Sequence, residues 1–81
     1  MLDRFRRKID AVDGKIISLL EKRDKISRDI GKYKKRNKIP VRDIFREKEI
    51  VKNVIKKTSL EPKFIKSLYK IIFKFSRKVQ K

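Results

Sequence analysis

The chain of 81 residues carries 27 Lys and Arg against 10 Asp and Glu, a formal net charge of +17, and has neither histidine nor cysteine. A Cys/His zinc site, a thiol nucleophile, a disulfide framework and a Ser-His-Asp triad are thereby excluded, and ten acids diluted by 27 bases argue against a carboxylate metal site. The size suits one small domain, and the charge asks for an anionic partner: nucleic acid, an anionic membrane surface or a small polyanion.

From the N-terminus, Leu2, Phe5, Ile9, Val12, Ile16, Leu19, Arg23, Ile26, Ile30 and Tyr33 step by three and four without a slip. Nine of these ten are apolar or aromatic, a heptad seam that predicts one helix over about residues 3–36. Gly14 and Gly31 fall off the seam, and each costs such a helix about 1 kcal/mol relative to Ala. A rod of about 34 residues is roughly 50 Å long, whereas a compact 81-residue chain is only about 30 Å across. Its own remaining residues cannot cover it, so a dimer is expected.

Asn37-Lys38-Ile39-Pro40 marks the break, because Pro40 has no N–H and disfavours helix in the residue before it. Asp43 is placed to cap a second helix, about 44–57, with Ile44, Val51, Val54 and Ile55 facing inward. Thr58-Ser59-Leu60 forms a short turn, and Pro62 opens a third helix over about 62–80. The stripe of that helix is Phe64 or Ile65, Leu68, Ile71 or Ile72, Phe75 and Val79. The fold class is all-α, with three helices and the first much the longest.

No apolar run at the N-terminus resembles a signal peptide, and stretches such as Ile16-Ile17-Ser18-Leu19-Leu20 fall well short of the ~20 residues that span a bilayer. A soluble, cytoplasmic protein without a membrane partner is the expectation, with no second domain after Lys81.

Arg23 is the residue that breaks the seam. A charge at a core position needs an anion, although a register-setting or edge-seeking arginine would explain it too. Lys34 lies eleven residues on, about 20° round the helix and roughly 16 Å along it, so both cations line one face. Ser76 and Gln80 sit at i and i+4 late in the third helix, and Asp43, Arg46 and Glu47 cluster at the start of the second. Each of these admits a structural explanation by itself.

Together they resemble a family. Arg6-x-x-Ile9-x-x-x-Asp13, Leu19-Leu20-x-x-Arg23, Gly31-x-x-Lys34, Pro40-Val41-Arg42-Asp43-x-x-Arg46-Glu47 and Ser76-x-x-x-Gln80 are similar to the motifs of the all-helical chorismate mutases. The resemblance runs from about residue 2 to residue 80. It implies an intertwined homodimer, needing no cofactor and no metal, that rearranges chorismate to prephenate on the way to phenylalanine and tyrosine. By motif position, Arg23 and the Arg6 of the other chain hold the two carboxylates, with Ser76 assisting at one. Lys34 and Gln80 bond the ether oxygen; Glu47, with the backbone at Asp43, holds the ring hydroxyl; Arg46 orders that corner. The residues by themselves agree on one point, since Arg6 and Arg23 are 17 positions, about 25 Å, apart on one rigid helix and cannot grip one small molecule from the same chain.

Two features depart from the family's pattern. The connection between the second and third helices is short, and Phe73 and Arg77 stand beside site-facing positions where smaller apolar residues are common. The competing readings are a basic helical nucleic-acid-binding protein, an isochorismate-pyruvate lyase on the same scaffold, and a non-catalytic oligomerisation module. No nucleic-acid motif is present, so no specific nucleic acid is expected as a partner. The Arg46-Glu47 pair and Ser76-x-x-x-Gln80 favour the mutase over the lyase.

Overall fold

The computed structural model describes residues 1–81 as three helices: α1 over Leu2–Arg36, α2 over Ile44–Lys57 and α3 over Pro62–Gln80. The three-helix, all-α reading is borne out, with each boundary within one residue of expectation. The stops are local. After α1, the Ile39 N–H donates to the Lys34 carbonyl at 2.8 Å and the Lys38 N–H to the Lys35 carbonyl at 3.4 Å, a Schellman arrangement with Lys38 left-handed at φ 55°. Asp43 caps α2 as expected, its Oδ1 accepting from the Arg46 N–H at 3.0 Å. Pro62 occupies the first turn of α3, where a missing N–H costs nothing.

Helix α3 is the centre of the chain. It packs on α1 along one side and α2 along the other, and α1 and α2 make no close approach to each other. Extents of 55 × 24 × 16 Å follow from the length of α1. The radius of gyration, 15.6 Å, compares with about 12 Å for a compact chain of this length.

The face of α1 that α3 covers is not the apolar seam. Buried on α1 are Ser27 and Gly31, each one position on from seam residues Ile26 and Ile30 and so about 100° round the helix. The seam residues Leu2 through Tyr33, Arg23 apart, remain 41–63% exposed within the chain. Small residues win the intrachain contact because they let the helix backbones approach closely. A Cβ on Gly31 would lie 2.6 Å from the Gln80 carbonyl oxygen and 2.7 Å from its Cα, whereas at Gly14 it would meet nothing within 4 Å.

The same substitution should therefore have opposite signs at the two glycines. Gly14→Ala should stabilise the fold by about 0.5–1 kcal/mol through helix propensity. Gly31→Ala should cost about 1–3 kcal/mol through overpacking. For a chain of this size, a loss of that kind lowers Tm by roughly 4–8 °C per kcal/mol. Thermal melts of the two variants check both; a Gly31→Ala melt at or above that of the parent would contradict the close approach.

Two further expectations are corrected. Ile44, expected on the inner face of α2, is 49% exposed at the helix's first turn, while Ile50 is half-buried. On α3 the inward residues are Ile65, Ile72, Phe73 and Ser76; Phe64, Leu68, Ile71 and Phe75 form a second, outward stripe. No helix is long and apolar enough to cross a membrane.

Candidate active site

A cleft of about 350 Å³ opens where all three helices face one another. Arg23, Ser27, Ile30 and Lys34 line it from α1, Val41 and Asp43 from the connection, Arg46, Glu47 and Ile50 from α2, and Phe73, Ser76, Arg77 and Gln80 from α3. Seven of the eight residues singled out from sequence thus meet in one place. The eighth, Arg6, lies on a stretch of α1 where every residue is exposed and nothing of its own chain packs.

Arg23 is half-buried and donates through Nη1 to the Ser76 Oγ, with its guanidinium 6.0 Å from the Phe73 ring centroid. The Ser27 Oγ lies 3.4 Å from the Ser76 Oγ. The planar guanidinium is thereby held at the α1–α3 contact with further N–H groups still free, a donor fork suited to a carboxylate. Lys34 donates from Nζ to the Val41 carbonyl at 2.7 Å. An ammonium has three protons, so this bond fixes its position and leaves two for a ligand. The Schellman turn brings the Val41 carbonyl back over the end of α1 to meet it.

Gln80, in the last turn of α3, has its side-chain Oε1 buried with no hydrogen-bond partner. Unpaired buried polar atoms are uncommon and costly, and this one belongs to a side chain lining the same cleft as Lys34. The tight contact at Gly31 holds the backbone of Gln80 against α1. Gly31 therefore positions a site residue while leaving no trace in a periodicity argument.

The corner at Glu47 differs from expectation in its pairing. Arg46 turns outward and bonds Glu49, an exposed i, i+3 pair. Glu47 is instead held by Arg77, whose Nη1 donates to the Glu47 Oε2 at 2.6 Å across the α2–α3 junction, both side chains largely buried. Sequence reading flagged Arg77 only as an unusual neighbour of the site; its separation of 30 positions from Glu47 hid the pair. With Oε2 so engaged, the Glu47 Oε1 stays available to accept from a hydroxyl. Cations outnumber acids among the lining residues: Arg23, Lys34, Arg46 and Arg77 against Asp43 and Glu47. On balance the polar lining is cationic, chemistry that suits a small anion carrying hydroxyl groups.

Comparison with known proteins agrees. The sequence profile described as chorismate mutase type II matches residues 5–81. The chain is 41% identical over 80 residues to the bifunctional chorismate mutase/prephenate dehydratase of Buchnera aphidicola subsp. Baizongia pistaciae, covering 95% of this chain and 22% of that one. It is 35% identical over 75 residues to the bifunctional protein of Escherichia coli, covering 89% of this chain and 19% of that one. It thus spans only about a fifth of these two-activity relatives. The chorismate mutase of Methanocaldococcus jannaschii is 28% identical over 83 residues, covering 99% of this chain and 84% of that one. A solved structure, a conserved hypothetical protein from Pyrococcus furiosus, superposes with a TM-score of 0.84 at 34% identity over 99% of this chain and 95% of its own. The profile, which matches nearly the whole chain, and the named relatives converge on the family that the motifs resemble: the chain belongs to the type II chorismate mutases.

Proposed function

We propose that the chain rearranges chorismate to prephenate in this cleft, and that a second copy completes the site. The observation that carries the reading is the convergence of Arg23, Lys34, Glu47, Ser76 and Gln80, drawn from three helices, on one small cationic cleft.

The reaction needs neither proton transfer nor a nucleophile. It is a pericyclic rearrangement in which one C–O bond breaks as a C–C bond forms, and a chain without His or Cys is no handicap to it. Two things must be supplied. The flexible diacid has to be held in its reactive chair, which is a matter of orientation. Arg23 with Ser76 takes one carboxylate, Arg6 of the second copy takes the other, and the Glu47 Oε1 with the backbone at Asp43 takes the ring hydroxyl. Arg77 fixes Glu47 in that corner, and Arg46 lines its outer edge. Negative charge growing on the ether oxygen must then be stabilised. The two free protons of Lys34 and the amide of Gln80 face it, and because that charge is largest at the transition state, they lower the barrier rather than merely tighten binding.

The second copy has two supports. The α1 seam is fully formed and uncovered by its own chain. The chain also exposes 7539 Å², against about 5,200 Å² for a compact monomer of its 9.8 kDa mass. An antiparallel pairing of two α1 helices covers both seams and carries Arg6 of one toward Arg23 of the other. Light scattering should give twice the chain mass.

The direct test is incubation with chorismate, following its ultraviolet band and identifying prephenate by NMR. Absence of conversion would overturn the proposal, and release of pyruvate from isochorismate instead would favour the lyase. Turnover should also vary less than about twofold between pH 6 and 8. The chain has no histidine or cysteine, the side chains that ordinarily titrate near there, and Gln80 does not titrate at all. A steep loss across that window would contradict the assigned roles.

A further inference from the structure

On the opposite flank of the α2–α3 junction lies a second, larger groove of about 750 Å³, separated from the catalytic cleft by the Glu47–Arg77 pair and Phe73. We propose that this groove is a docking site for an acidic amphipathic helix of a partner protein. Lys48, Lys52 and Lys56 repeat every four positions and form one row along α2, about 12 Å long; Lys66 and Lys70 form the facing row on α3. Between the rows the floor is apolar: Ile44, Val51, Ile55 and Phe73.

Three observations set this groove apart from a generally basic surface. Seven of its twelve lining residues are Lys or Arg, against 27 of 81 in the chain. Its single acid, Glu47, is already held by Arg77, and none of the five rim lysines takes part in any of the chain's ion pairs. All five rim lysines are exposed, so solvent screens their mutual repulsion in part, and a bound anion relieves what remains.

The form of the groove selects the occupant. A helix with apolar residues at i, i+3, i+4 and i+7 lays that stripe on the floor and presents acids on both flanks to the two lysine rows. Single-stranded nucleic acid needs exposed aromatic faces on which bases stack; the one aromatic residue here, Phe73, is 8% exposed, and the rest of the floor is aliphatic. A second copy of this chain is also unsuited. The half of α1 left uncovered, residues 2–19, has five bases and three acids and is cationic like the groove.

The probe is a fluorescein-labelled 16-residue peptide with leucine at helical spacing and glutamate on both flanks, titrated with the intact protein at low salt. Controls are a permuted peptide of the same composition and a labelled oligouridylate. Lys52→Glu/Lys70→Glu should weaken binding at least about tenfold. Lys25→Glu/Lys32→Glu, on the exposed far side of α1, should change it less than about threefold, although both doubles lower the net charge equally from +17 to +13. Affinity should fall steeply as salt screens the rims, and chorismate turnover should be the same in both doubles and the parent. With unmutated labelled protein, amide shifts on peptide addition should concentrate at residues 44–56 and 66–73. Equal weakening in the two doubles, equal binding of the permuted peptide, tighter binding of the oligouridylate, or shifts spread over α1 would overturn the proposal. Apart from the turnover control, none of these readouts depends on the chain being a mutase.

Discussion

Lys34→Ala is expected to lower chorismate turnover by on the order of 10²–10³-fold, the usual consequence of deleting one donor from a site that stabilises a developing oxyanion. Most of the loss should fall on kcat, because the charge on the ether oxygen is small in the bound substrate and large at the transition state. The fold should survive. Lys34 makes one hydrogen bond, to the carbonyl of Val41 in the connection to α2, and the Schellman turn beneath it is made by backbone groups. Lys34→Arg discriminates further: it keeps the charge but places a planar fork where a compact ammonium sits, and should recover little activity. Steady-state kinetics beside a thermal melt check this. A Lys34→Ala enzyme with parental kcat would remove the electrostatic part of the mechanism.

Arg23→Ala and Arg6→Ala come second. Each leaves a bound carboxylate without its partner and should reduce kcat/KM by roughly 10²–10³-fold, with KM rising more than for Lys34→Ala. The two variants should differ in stability. Arg23 bonds Ser76 and packs on Phe73 at the α1–α3 contact, so its removal should lower Tm. Arg6 is exposed within its own chain and makes no ion pair there, so its removal should lower the Tm less than removal of Arg23 does.

Much of the architecture was legible because it is written in local chemistry. The step of three and four along α1, Pro40 after it, Asp43 as a cap and Pro62 in a first turn place all three helices. Periodicity could not say which face of α1 meets its own chain. The seam is the more apolar face, yet Ser27 and Gly31 make the intrachain contact, because closeness of backbones is set by small side chains and not by hydrophobicity. The same limit left Phe64 or Ile65 open, and the structure turns Ile65 inward, 3% exposed. Within the site, single residues with unusual chemistry were visible: Arg23 on an apolar seam, Gln80 four positions after Ser76. Pairings across long separations were not. Glu47 could have been held by Arg46 or by any cation of α3, and only the packing of α2 on α3 selects Arg77. The overall charge was a weaker guide still. It reads as a polyanion signal over the whole surface, while the structure gathers ten of the 27 basic residues around a small cleft and a lysine-lined groove and leaves the others elsewhere.

Mixing variants is the decisive experiment for a mutase site shared between two chains. Arg6→Ala and Arg23→Ala chains are co-folded in equal amounts and assayed for conversion of chorismate to prephenate. Random pairing makes half the dimers mixed, and each mixed dimer holds one intact site of two, since the Arg23→Ala chain lends its Arg6 to a partner whose Arg23 is present. A shared site gives about a quarter of the parental activity from two chains that are each nearly inactive. Activity no greater than the average of the two variants would contradict it.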